Sequence, residues 1–257
     1  MKMRFIYFAI VLILSSCNGN WIPIQIDKTI GDQSKQEIEG SPSQFKILEQ
    51  EDCPYAYERL KGIRDEILSS GKIEHASEFE WDIHIIQDDS VLNAFCIPGG
   101  SIYVYTGLIK YLDSEAGLAG VIGHEMAHAD LRHSTKQLLQ NVGLSLIIQY
   151  VLGIDQGSLI NLGANLLSLS FSRDDESEAD MQSVEYLNST KYDSRGAAFF
   201  FQKIEKENKN EVNLEFINTH PNPENRVKKI FKKWEELGAK KGELNKDTYK
   251  KIILDLP

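Results

Sequence analysis

His124-Glu125-Met126-Ala127-His128 is the stretch on which the reading of this 257-residue chain turns. In a helix, residues four apart share a face one turn apart, so both imidazoles can reach a single metal ion. A catalytic Zn²⁺ takes three protein ligands and keeps one position for water, and a carboxylate beside it, here Glu125, can take the proton of that water. The same pattern also arises by chance on amphipathic helices, so its surroundings matter. Ser114 is placed to cap a helix, and Leu118, Val121, Ile122 and Met126 recur at helical spacing through the motif. Gly117, Gly120 and Gly123 weaken intrinsic propensity but permit close backbone packing of a buried helix.

A third ligand is required. The pattern with a third histidine six residues after His128 would need Gly at 131 and His at 134, where the chain has Leu131 and Ser134. His133, five residues past His128, lies off the ligand face of a continuous helix and reads as a surface residue. The acidic run Arg173-Asp174-Asp175-Glu176-Ser177-Glu178-Ala179-Asp180 opens a second helical pattern carried by Met181, Val184 and Leu187. Such a run is ordinarily a solvated helix start that complements the dipole. Beside the first motif it acquires another reading. Glu176 and Asp180 share a face, so Glu176 can ligate zinc while Asp180 holds the second ring nitrogen of a ligand histidine. Glu178 points elsewhere.

Together with Asn93-Ala94-Phe95-Cys96-Ile97-Pro98-Gly99-Gly100 and Thr219-His220-Pro221, these motifs resemble the gluzincin metalloproteases that include the HtpX, Oma-type and CAAX-prenyl proteases. Within them the chain is most similar to the periplasmic BepA/LoiP-like lipoprotein branch, over residues 50–232. The resemblance implies a mainly helical α+β fold: a single zincin domain with a small β-sheet beside the active-site helix. It also implies that His124, His128 and Glu176 hold one Zn²⁺, that Glu125 is the base, and that His220 donates to the oxyanion with Arg226 in the same cleft. Cys96 departs from the small apolar residue more usual at its position.

Pro98-Gly99-Gly100 signals a turn, and Ser101-Ile102-Tyr103-Val104-Tyr105 reads as a strand. By resemblance, an edge strand beside the metal pairs with extended substrate, which makes Asn93, Gly99, Gly100, Ser101 and Ile102 candidate substrate-binding residues. The alternative is an ordinary core strand.

Met1 to Ser16 has basic residues at Lys2 and Arg4, an apolar stretch from Phe5 to Leu14, then Ser15-Ser16-Cys17. This is the layout of a secretory signal, too short for a comfortable membrane span. Its ending resembles a bacterial lipoprotein signal, implying acylation of Cys17 and an outer-membrane address facing the periplasm; a plain signal with an incidental cysteine is the alternative. Cys53 and Cys96 remain, either bridged in an oxidising compartment or buried as free thiols.

The expected organisation is a signal over 1–16, a flexible tether over 17–45 marked by Ser, Gly, Gln and Asp, the metallopeptidase domain over 46–232, and a basic helical tail over 233–257. Helix signals run from Asp52 and Pro54 to Leu68, a strand covers Trp81 to Gln87, and helices dominate after Gly107. His75 and His84 read as structural. The apolar stretches of 138–171 read as a helical hairpin, either a lid or part of the core. A net charge of −10 argues against nucleic acid as partner. The expected activity is hydrolysis of misfolded or stalled envelope proteins by a lipid-anchored zinc metalloendopeptidase, in contact with envelope assembly machinery. An assembly chaperone of the same fold is the other possibility.

Overall fold

In a computed structural model of the chain, residues 22–143, 145, 147, 149, 170–207, 219–220 and 225–257 are described. The signal segment, Cys17, and most of 138–171 lie outside them. The elements are α1 (Ile24–Glu39), α2 (Pro54–Leu68), β1 (Ile83–Ile86), β2 (Ala94–Cys96), β3 (Ile102–Tyr105), α3 (Thr106–Tyr111), α4 (Glu115–Asp130), α5 (His133–Val142), α6 (Arg173–Asn188), α7 (Gly196–Glu207), α8 (Arg226–Glu236) and α9 (Lys246–Asp255). The fold is mainly helical with one small sheet, as the sequence predicts.

The motif helix α4 is buried along its whole length. Ser114 caps it as expected, its hydroxyl accepting from the Gly117 N–H at 3.1 Å. Its glycines explain how it can be so enclosed. A Cβ on Gly120 would stand 2.0 Å from the Ala197 nitrogen, and one on Gly196 would stand 1.9 Å from the Ala116 oxygen. So α4 and α7 cross backbone against backbone. The Ser183 hydroxyl of α6 donates to the Gly120 carbonyl at 3.0 Å, pinning a third helix to the same stretch. Leu118, Ile122 and Met126 complete the apolar core with Ile63 and Ile67 of α2 and Ile85 of β1.

In the sheet, β3 is central: β1 pairs with it in parallel, Ile83 opposite Ile102, and β2 antiparallel, Ala94 opposite Val104. All four residues of β3 are buried, in keeping with its β-branched and aromatic composition. The Tyr57 hydroxyl ties α2 to β1 by donating to the Leu48 carbonyl and accepting from the Ile85 N–H. Cys53 precedes α2 and Cys96 ends β2; both are buried free thiols, with no bridge between them.

Two boundaries differ from expectation. The segment expected to be a flexible tether contains α1, whose Ile26, Ile30 and Ile38 are buried. Its Gly31 and Ser34, which suggested a linker, are contact positions: a Cβ on Gly31 would lie 2.0 Å from the Pro98 carbonyl oxygen. The expected tail also belongs to the core. Tyr249 and Ile252 of α9 are buried, the Tyr249 hydroxyl donates to the Ile109 carbonyl at 2.6 Å, and Asp255 accepts from the Ala56 N–H at the start of α2. Lysines dominate the surface of this segment by composition while its apolar residues set where it packs.

Among the described residues, no helix is long and apolar enough to cross a membrane.

Candidate metal centre

Helix α4 presents His124 and His128 one turn apart, and α6 meets it with its first turn. The start of α6 is set by a capping box, in which Ser172 and Asp175 each accept from the other's backbone N–H. That places Glu176 opposite both histidines, at an end where the helix dipole favours negative charge.

His124, His128, Glu176 and His220, all buried, offer ligand atoms that lie within 4.8 Å of one another. The Nε2 atoms of His124 and His128 are 3.0 Å apart. Glu176 Oε2 is 3.5 Å from the first and Oε1 is 3.3 Å from the second. Donors bound tetrahedrally at zinc distances stand about 3.3 Å from one another, so the spacing fits a Zn²⁺. The buried charge fits as well. Glu125, Glu176 and Asp180 are three carboxylates against one guanidinium, Arg226, an excess that a dication would offset.

His220 is closer to the ligands than an oxyanion donor standing apart. Its Nδ1 is 3.3 Å from His124 Nε2 and 2.9 Å from Glu176 Oε1, while its Nε2 is 3.4 Å from Glu125 Oε1. Burial opposes ionisation of Glu176, but His220, His124 and His128 outweigh it and hold the carboxyl well below the usual range. Burial raises the proton affinity of Glu125, opposed by His220 and His124. The Cys96 backbone on β2 adds a smaller influence that favours the ionised form of Glu125.

Asp180 reaches the other ring nitrogen of His124: its Oδ1 is 3.0 Å from His124 Nδ1. Burial lowers the proton affinity of His124, but Asp180 and Glu176 more than compensate and lift it to about 9. Arg226 is buried among the site's carboxylates: Nε and Nη2 donate to Asp180 at 2.7 and 2.6 Å, Nη1 makes a charge contact with Glu176 Oε2 at 2.8 Å, and the guanidinium lies over the Phe201 ring. It therefore holds the groups that hold His124, through a bidentate geometry that suits a guanidinium and a carboxylate.

Of the candidate substrate-binding residues, Ile102 belongs to the central strand, with Ile83 of β1 and Cys96 of β2 opposite it, and the Ser101 carbonyl before it accepts from the Ile97 N–H. The strand facing Glu125 is β2. Asn93, buried, precedes it; Gly99 and Gly100 adopt positive φ in the following turn, with Gly99 packed beneath α1.

His133 is the residue that the periodicity misplaced. It is buried rather than at the surface, with Nδ1 3.0 Å from His128 Nδ1. Burial lowers its proton affinity and that of His128. Glu178 does point away from the donor cluster, toward His133. His75 and His84 pair with Asp130 and Asp82, at 3.1 and 2.8 Å.

Residues 54–234 match the description of peptidase family M48. The chain belongs to peptidase family M48. It is 33% identical over 155 residues to a mitochondrial metalloendopeptidase OMA1 of Arabidopsis thaliana, covering 60% of this chain and 32% of the relative. The OMA1 of Schizosaccharomyces pombe is 32% identical over 161 residues, 60% of this chain and 47% of the relative. The beta-barrel assembly-enhancing protease of Escherichia coli strain K12 is 27% identical over 171 residues, 60% of this chain and 35% of the relative. The chain thus spans less than half the length of these relatives.

Proposed function

We propose that this M48 chain is a zinc-dependent metalloendopeptidase. The observation that carries the reading is the convergence of His124, His128, Glu176 and His220 within 4.8 Å, with Glu125 beside them. His124, His128 and Glu176 would hold the zinc, which when bound polarises a peptide carbonyl and acidifies a water. Glu125 receives the proton of that water at its carboxylate; its raised proton affinity suits a base that later returns the proton to the leaving amine. His220 donates to the carbonyl oxygen as negative charge builds there. Asp180 and Arg226 keep His124 and Glu176 in place. The outer edge of β2, which pairs with no further strand among the described residues, would align an extended peptide by backbone hydrogen bonds, compatible with many sequences.

The substrates in this proposal are misfolded or stalled envelope proteins, with Cys17 lipid-anchored in the outer membrane and the domain facing the periplasm. The signal layout before Cys17 supports that address, and the name of the Escherichia coli relative supports a link to barrel assembly. Glu125→Gln is expected to retain one zinc per chain and to cleave unfolded casein about 10²–10⁴-fold more slowly. Undiminished cleavage would sink the mechanism. A second reading, an assembly chaperone with silenced proteolysis, draws support from the burial of every donor. Full rescue of a deletion strain by Glu125→Gln would favour it.

A further inference from the structure

We infer that His133, backed by Glu178, is the positioning residue that sets the tautomer and ring orientation of His128. The inference rests on the reading of His128 as a metal ligand.

On a continuous helix, residue 133 would sit about 140° around the axis from His128. The chain breaks instead. Arg132 takes a left-handed conformation, φ 60° and ψ 33°, and α5 starts afresh at His133. A non-glycine residue holds this conformation only when its surroundings insist on it. Here its guanidinium Nε donates to Asp27 Oδ2 at 3.0 Å and NH1 to the Ile22 carbonyl at 2.7 Å, while Thr135 of α5 donates to the other oxygen of Asp27 at 2.6 Å. Helix α1 thus anchors the reversal that turns the His133 ring back behind His128.

The two rings meet at their Nδ1 atoms, 3.0 Å apart, with planes at 72°. The far side of His133 faces carboxylates: Nε2 is 3.3 Å from Glu178 Oε2 and 3.7 Å from Asp175 Oδ1. A neutral imidazole has one donor and one acceptor nitrogen. The carboxylates at 3.3 and 3.7 Å place the proton of His133 on Nε2, which leaves its Nδ1 as acceptor. Glu176 Oε1, 3.3 Å from His128 Nε2, makes its closer contact with His220 Nδ1 at 2.9 Å, so His128 donates from Nδ1 across 3.0 Å and its Nε2 presents a lone pair toward the metal position. The opposite tautomer would aim an N–H at the metal position. Phe171 stacks on His128 with ring centroids 4.0 Å apart, so the ring plane is held by stacking and its flip state by His133. An apolar side chain would fill the same space but choose neither tautomer nor flip.

The test combines imidazole ¹⁵N NMR of the zinc-free protein with zinc affinity from chelator competition, on wild type, His133→Leu and His133→Asn. Expected are a proton on Nδ1 of His128 in the wild type, an affinity lower by about 10–100-fold in His133→Leu, and recovery of most of it in His133→Asn, whose amide oxygen can accept. Unchanged zinc affinity in His133→Leu, equal loss in both variants, or an Nε2 proton on His128 in the zinc-free wild type would overturn the inference. If His133→Leu fails to fold, the wild-type tautomer and His133→Asn still decide it. Failure of the wild type to bind zinc would instead remove the metalloprotease reading, and the tautomer would remain a separate result.

Discussion

His124 and His128 leave the same helix one turn apart, yet what stands behind them differs. Behind His124 are a carboxylate and a guanidinium, Asp180 and Arg226, both with side chains only 1% exposed. Behind His128 is another imidazole, His133, and beyond it Glu178, whose side chain is 59% exposed. The first support is charged and enclosed, so each of its charges depends on the others remaining. The second passes through a neutral ring to a carboxylate in water, where removing the charge costs little. One site thus has a rigid arm built into the interior and a lighter arm that ends at the surface.

The sharpest way to break this contrast is Arg226→Met. It takes the guanidinium away from the buried Asp180 and Glu176 and leaves them His124 as their shared partner, and urea unfolding of the zinc-free protein should show a loss of about 3–5 kcal/mol. A loss well under 1 kcal/mol would mean that the enclosed arm is not an ion-pair anchor. The double change Asp180→Met, Arg226→Met removes both charges. It should regain most of that stability while leaving zinc binding impaired, separating what the pair does for the fold from what it does for His124.

Asp180→Asn keeps the shape and an acceptor oxygen for His124 Nδ1 but drops the charge. Zinc affinity should fall by about tenfold or more, with chelator competition as the readout. On the lighter arm, Glu178→Ala should change unfolding stability by about 1 kcal/mol or less. Its smaller effect on zinc affinity should shrink as salt is raised, because an exposed charge is screened. A salt-independent loss as large as that of Asp180→Asn would erase the difference between the arms.

Much of the enclosed arm was legible in the sequence because it follows from helical spacing. His124 with His128, and Glu176 with Asp180, are i,i+4 pairs, and Ser114 announced the start of α4. The lighter arm was not legible. A regular period carries the eye past Arg132, where the helix stops, and nothing local says that Asp27, 105 positions earlier, will hold the break. Arg226 was located near the site by resemblance, but its partners were not. Whether a guanidinium faces substrate or a buried carboxylate depends on which helix packs over it. The tether reading failed for a related cause: Gly31 and Ser34 look like linker residues in composition and are contact residues in space.

By itself the sequence determined the metal-site motif, the helices that carry it and its likeness to gluzincins, since these depend on residue type and on spacing within single helices. Only the tertiary structure decided what supports each ligand, which strand edge faces Glu125, and that both ends of the described chain belong to the core. Those outcomes rest on contacts between residues far apart in sequence, and a left-handed residue or a buried ion pair has no periodicity to announce it.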